Sequence, residues 1–107
     1  MAANRDESAW FALGDGTRRA IVLALAERPR SVGEIADGLP VTRPAVSQHL
    51  KVLKESGLVT EQAVGTRRVY QLNAAGVLAL RDQLETFWTR AIAGYQDVVE
   101  QPTEENS

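Results

Sequence analysis

Apolar side chains in the first part of the chain recur at three- and four-residue steps, in short runs interrupted by glycine and proline. This spacing places them on one face of a helix, so it predicts three short helices. Gly14-Asp15-Gly16 and Pro29 separate the helices, and Pro40 ends the third. The predicted helices cover about 8–13, 17–27 and 32–39.

Capping residues mark where these helices begin. Asp15 or Thr17 can cap the second helix, because either side-chain oxygen can accept a hydrogen bond from a free backbone N–H of the first turn. Ser31-Val32-Gly33-Glu34 has the Ser-x-x-Glu form of a capping box, which predicts the start of the third helix.

A fourth predicted helix, over about 42–56, is amphipathic. Thr42 is placed to cap it, Pro44 is tolerated in its first turn, and Gly57 is placed for a left-handed ending. Its apolar stripe must face the core and consists of Val46, Leu50 and Leu53. The opposite side and the first turn hold Thr42, Arg43, Pro44, Ser47, Gln48 and Lys51.

Alternation replaces the helical spacing after Gly57. Two β-rich segments, 58–64 and 67–72, are joined at Gly65-Thr66 and predict an antiparallel hairpin. Asn73 is placed to cap a last helix over about 74–99. Apolar residues recur along that helix at three- and four-residue steps: Val77, Leu80, Leu84, Phe87, Ala91, Tyr95 and Val98.

The predicted fold is mainly α with a small antiparallel β-hairpin, in the order helix, helix, helix, helix, hairpin, helix. Two short helices joined by a tight turn and followed by a basic hairpin make a winged helix-turn-helix. In that fold the second helix, here over about 42–56, enters the major groove of duplex DNA, and the hairpin over about 58–72 is the wing.

Composition supports a single globular domain over residues 1–107. The chain is 44% hydrophobic and 24% charged, and no apolar run approaches the roughly 18 residues of a membrane span. The first residues have no apolar signal core, so we expect a cytoplasmic protein with no membrane partner. The absence of cysteine excludes disulfides, thiolate metal sites and cysteine nucleophiles.

The net charge of −2 hides a basic stretch. Five basic residues and two acidic ones lie between Val41 and Tyr70, so that stretch carries +3 and the remainder carries −5. Such a local basic surface is compatible with phosphate binding. From Asp97 onward there are four acids and no base, which predicts a solvated acidic tail that includes 100–107.

Catalytic and metal-binding patterns are missing from the sequence. His49 is the only histidine, and we expect it to pack between helices or lie near DNA rather than act as a ligand or catalyst. No Ser/His/Asp set, carboxylate pair or glycine-rich phosphate loop is present. We therefore expect no enzyme activity, no cofactor and no metal.

Three segments carry a resemblance to a known family. The run 41–59 resembles the recognition helix and first wing strand of the ArsR family of bacterial repressors, 15–19 resembles that family's Asp-Pro-Thr-Arg segment with glycine in place of proline, and 65–72 is similar to its wing. The likeness covers about 10–95. Phe87-Trp88 is similar to the aromatic pair of cysteine-free actinobacterial members.

The resemblance implies a repressor that binds a near-palindromic operator in double-stranded DNA, often in its own promoter. Arg43, Ser47 and Gln48 are then groove-facing, and Thr42 and Lys51 contact phosphates. Strand alternation puts Arg67 and Arg68 on opposite faces, so one of the two is expected to point at DNA.

The resemblance also implies a homodimer built from the first and last helices, over about 8–13 and 74–99. The last helix supports this independently, because it has more apolar surface than a domain of this size can cover by itself. The expected interface residues are Trp10, Phe11, Leu80, Leu84, Phe87, Trp88, Ala91 and Tyr95.

Departures from the family pattern argue against metal sensing. Ser31, Gly33 and Ala36 stand where the arsenic-sensing pattern has thiols, and the last helix has no histidine. Two alternatives stay open: a winged-helix module that holds a protein partner, and a small-molecule-responsive repressor with an aromatic pocket. The sequence identifies no effector. The pocket would be lined by Trp10, Phe11, Phe87, Trp88 and Tyr95.

Overall fold

The computed structural model describes residues 5–100, with side chains over residues 9–99. The five expected helices and the hairpin are present, so the predicted element order is confirmed. The helices are α1 (Arg5–Ala12), α2 (Gly16–Glu27), α3 (Val32–Asp37), α4 (Arg43–Glu55) and α5 (Ala74–Glu100), and the strands are β1 (Arg30–Ser31), β2 (Val59–Val64) and β3 (Arg67–Leu72). Most of the expected acidic tail, residues 101–107, lies outside the described residues.

The predicted caps explain where the helices begin and end. The Asp15 carboxylate caps α2, and Ser31 and Glu34 form both hydrogen bonds of the capping box at the start of α3. Thr42 caps α4 through its hydroxyl oxygen. Gly57, with φ of 85°, follows the last turn of α4 in the left-handed conformation that glycine adopts without steric cost.

The core lies where α2, α3 and α4 meet the base of the hairpin. The apolar stripe of α4 faces it as expected, with Val46, Leu50 and Leu53 at most 1% exposed. The other large, fully buried side chains are Ile21, Ile35, Leu58 and Val59. Leu80 of α5 joins this core at 8% exposure, so its expected place in a dimer interface is corrected: it packs inside its own protomer.

A third strand extends the expected hairpin into a sheet. The strand order is β1-β3-β2, all antiparallel, with Arg30 opposite Tyr70 and Ser31 opposite Val69. The two residues of β1 are too few to show alternation, so the sequence could not predict this strand. Gly65, with φ of 64°, takes the first central position of the hairpin turn, where a positive φ favours glycine.

The start of α5 is tied to the end of α4. The backbone carbonyl of Asn73 accepts the first helical bond, but its side-chain amide donates to the Gly57 carbonyl oxygen at 2.9 Å. Asn73 thus begins α5 as expected, while its side chain fixes the helix to the preceding cap rather than capping α5. Beyond this anchor, every side chain from Arg81 to Val99 is exposed except that of Gln83.

Candidate nucleic-acid interface

The polar side of α4 is free to contact a ligand. Helices α3 and α4 pack against each other across the short turn after Asp37. Because the apolar stripe of α4 is turned inward, the opposite side faces solvent. The side chains exposed there are those selected from the sequence: Thr42, Arg43, Pro44, Ser47, Gln48 and Lys51.

The first turn of α4 combines free donors with the positive end of a helix. The Thr42 Oγ1 accepts a hydrogen bond from the Ala45 backbone N–H at 3.2 Å, which leaves the hydroxyl proton available to an external acceptor. Pro44 has no N–H and the Ala45 N–H donates to Thr42, so the backbone donor left without an acceptor in the helix is the Arg43 N–H, at the positive end of the helix dipole. This turn can therefore hold a phosphate oxygen.

Gly33 gives the Arg43 side chain room beside α3. A Cβ built on Gly33 would lie 3.1 Å from Arg43 Nη2, so a larger residue would push the guanidinium away. In the sequence, Gly33 stood out as an inner residue of the capping box and as a position without the thiol of the arsenic-sensing pattern. Its part in placing Arg43 depends on how α3 packs on α4, which no local pattern reveals.

His49 packs inside the protomer. Its Nδ1 lies 3.3 Å from Nη1 of Arg18, and the Nε of Arg18 donates to the Ala12 carbonyl oxygen at 2.8 Å. These contacts join α1, α2 and α4. The Arg18 backbone N–H, helped by the Arg18 charge, lowers the pKa of Asp15, which stays ionised beside this group.

The wing, defined as β2, its turn and β3, holds both of its arginines in ion pairs. Arg67 Nη2 lies 2.8 Å from Glu34 Oε1 on α3, and Arg68 Nη1 lies 2.8 Å from Glu61 Oε2 on β2. Glu61 also pairs with Lys54 in the last turn of α4. The sequence indicated Glu34 as part of the capping box and Glu61 only as a charge, and it identified the arginine partner of neither acid, because Arg67 and Arg68 lie on another element.

Both carboxylates stay ionised at neutral pH. The Ser31 backbone N–H, assisted by Arg28 and Arg67, lowers the pKa of Glu34 to about 2. Hydrogen bonds from Lys54 and Arg68 lower the pKa of Glu61. Arg43 and Lys51 of α4 have no acidic side chain of residues 9–99 within the 4 Å of an ion pair.

A second exposed surface, apolar this time, runs along α5 and reaches α1. Trp10 of α1 meets Phe87 edge to face, with ring centroids 5.6 Å apart. Phe11, Trp88 and Tyr95 are 75%, 64% and 70% exposed. The other exposed large apolar side chains of this α5 surface are Leu78, Leu84, Ile92, Val98 and Val99. Within residues 5–100, no helix is long and apolar enough to cross a membrane.

These elements define a winged helix-turn-helix protein with an exposed polar recognition helix. The profile described as "Bacterial regulatory protein, arsR family" matches residues 15–61. The HTH-type transcriptional regulator Rv2034 of Mycobacterium tuberculosis is 60% identical over 94 residues, which are 88% of this chain and 88% of that protein. The chain belongs to the arsR family: it is a DNA-binding transcriptional regulator and not an enzyme.

Two further matches bear on mechanism and assembly. The HTH-type transcriptional repressor SmtB of Mycobacterium tuberculosis is 49% identical over 61 residues, 57% of this chain and 45% of that protein. The homodimeric winged helix-turn-helix domain of Mb0332 from Mycobacterium bovis superposes with a TM-score of 0.64 at 26% identity, over 92% of this chain and 87% of that one. A module that binds only a protein partner is not favoured.

Proposed function

We propose that two copies of this chain pair through α1 and α5 and repress transcription in the cytoplasm by occupying a near-palindromic operator. The observation that carries this proposal is the division of α4, whose apolar stripe is buried while its polar side is exposed. The occupied promoter then excludes RNA polymerase. That SmtB is named a repressor supports the direction of regulation.

In this proposal some α4 side chains contact base edges and others contact phosphates. Arg43, Ser47 and Gln48 lie toward base edges, since arginine pairs with guanine and glutamine with adenine in the major groove. Thr42 and Lys51 contact phosphates and set the register, and Pro44 lies between them at the protein–DNA boundary. Arg67 or Arg68 reaches the flanking backbone once it leaves its carboxylate.

The exposed apolar side of α5 supports the dimer. A two-fold interface uses the same patch on both copies, so Leu84, Phe87, Trp88, Ala91 and Tyr95 would meet their symmetry mates or α1 of the partner. The named homodimer of Mb0332 supports the same assembly. The two α4 helices would then enter successive major grooves about 34 Å apart.

Footprinting the purified protein on the DNA upstream of its own gene tests the proposal. A protected, near-palindromic site is expected, and fluorescence anisotropy on that site then compares variants. Gln48→Ala and Arg43→Ala should lose specific binding without a change in thermal stability, because both side chains are exposed. Gln71→Ala, an exposed glutamine at the base of the wing, is the matched control.

Two results would oppose the proposal. Full affinity in the Gln48 and Arg43 variants would remove those residues from the site. Affinity that does not fall steeply with salt would mean that phosphates are not contacted. Dimerisation is measured separately by sedimentation, where Trp88→Glu should shift the protein toward monomer because it places a charge on the exposed apolar surface.

A further inference from the structure

The positive charges of α4 and the wing fall into two groups. Arg43 and Lys51, on the recognition face, are without ion-pair partners among residues 9–99. Around the wing, in contrast, Lys54, Arg67 and Arg68 each contact a carboxylate. The cations at the wing are therefore held by carboxylates of this chain, whereas Arg43 and Lys51 on the exposed side of α4 are not.

We propose that Glu34 and Glu61 set the specificity of DNA binding by withholding the wing cations from DNA that does not fit α4. This inference rests on the proposed function, because it assumes that the wing lies beside phosphates. A phosphate that recruits Arg67 or Arg68 competes with its carboxylate for the charge of the guanidinium. Both acids then act as positioning residues, without touching DNA themselves.

In both pairs the carboxylate is less exposed than the arginine that it contacts. Glu34 is held by the Ser31 backbone N–H at 2.9 Å, and the Glu61 side chain is only 15% exposed. The side chains of Arg67 and Arg68 are 57% and 71% exposed. Exposed ion pairs are weak, so a well-placed phosphate can displace the acid, whereas a transient one gains little.

Withheld charge weakens non-specific binding more than operator binding. Non-specific complexes depend almost entirely on phosphate neutralisation and counterion release. The operator complex has base-edge contacts from α4 as well, and these are unaffected by the wing acids. The ratio of the two affinities therefore rises when the wing is partly neutralised.

Glu61→Gln and Glu34→Gln test the inference, because each removes one charge and keeps the shape of the side chain. A capping box accepts glutamine as well as glutamate at the third residue of the helix, so the Glu34 variant should keep the start of α3. Glu85→Gln, an exposed carboxylate on α5, is the matched control for the change in net charge. Anisotropy is measured on the footprinted site and on a random duplex, at several salt concentrations between about 50 and 200 mM.

Each wing variant should bind the random duplex about two- to five-fold more tightly than the control variant does. The slope of log affinity against log salt should steepen by about 0.9 for each cation released. Affinity for the footprinted site should rise less, so the specificity ratio falls. Thermal unfolding of each variant verifies that it is folded, and Glu61→Gln alone suffices if the Glu34 variant is unstable.

Random-duplex affinity equal to that of Glu85→Gln would overturn the inference and leave the proposed function standing. Weaker binding by the wing variants would also overturn it, since the acids would then be orienting the arginines toward phosphate. Wild-type protein that binds no duplex would overturn both proposals. These outcomes separate failure of the specificity role from failure of DNA binding itself.

Discussion

Gly76, in the first turn of α5, is the position where one added methyl group should have the largest effect on stability. A Cβ there would lie 1.9 Å from the carbonyl oxygen of Gly57 and 2.8 Å from its carbonyl carbon. Both atoms belong to the backbone, which cannot rotate away as a flexible side chain can. The helix and the cap would have to separate by about 1.5 Å, the difference between 1.9 Å and the 3.4 Å at which ordinary contact begins.

The expected effect of Gly76→Ala is the balance of three terms. Overpacking of this kind costs about 1–3 kcal/mol, and a 1.5 Å shift places this site at the upper end. The shift also stretches the hydrogen bond from the Asn73 amide to Gly57, which is worth about 0.5–1.5 kcal/mol. The higher helix propensity of alanine stabilises the folded state by about 1 kcal/mol and offsets part of this loss. We expect a net loss of roughly 2–4 kcal/mol in the free energy of unfolding.

Gly94→Ala is the matched control, because Gly94 is on the same helix and a Cβ there would meet nothing within 4 Å. It should stabilise the protein by up to about 1 kcal/mol. Urea and thermal unfolding followed by circular dichroism, at one fixed protomer concentration, measure both variants. The melting temperature of Gly76→Ala should fall by about 10–20 °C. A Gly76→Ala protein as stable as the wild type would refute the close approach of α5 to the cap.

Three further predictions concern the core and the caps. Ser31→Ala should lower the free energy of unfolding by about 1 kcal/mol in urea titrations, because the N3 backbone N–H of α3 loses its acceptor. Leu53→Ala, at a fully buried position, should cost about 2–5 kcal/mol in the same assay. The lowered pKa of Glu34 contributes stability that is fully present above its usual pKa of 4.5 and is lost as the pH falls toward about 2. Glu34→Gln should therefore flatten the acid limb of a stability–pH curve, and an unchanged limb would contradict the assigned cause.

Local signals in the sequence were sufficient for the bounds of α2 and α4 to within one residue and for the direction of α4, whereas α1 begins about three residues earlier than expected and α3 ends about two residues earlier. A cap such as Thr42 acts within one turn, and the stripe of Val46, Leu50 and Leu53 follows from the spacing of apolar residues at three- and four-residue steps. Both kinds of information are contained in a few consecutive residues. The exposed polar side of α4 follows from them directly, which is why its candidate residues could be named before the fold was known.

Contacts between distant segments were beyond that reasoning. Glu34 and Arg67 are 33 residues apart, and nothing near either residue identifies the other as its partner. The period of α5 placed Leu80 and Leu84 in one apolar set, yet only Leu80 is covered by its own protomer. Period identifies a face but not the element that covers it, so the division between core and exposed surface along α5 required the structure.

The segment that ends the recognition helix is hydrogen-bonded to the residue that begins α5, and this contact connects the proposed dimer helix to the DNA-reading helix. Gly57 follows the last turn of α4, and its carbonyl oxygen accepts a hydrogen bond from the Asn73 side-chain amide. The same carbonyl lies so close to Gly76 that no side chain would fit at position 76. A second hydrogen bond, from the Asn73 backbone N–H to the Leu58 carbonyl oxygen at 2.8 Å, fixes the same junction. If α5 pairs with a second copy, the distance between the two α4 helices is set through this junction. A substitution that shifts α5 here should therefore weaken operator binding even where the dimer and every α4 side chain are intact.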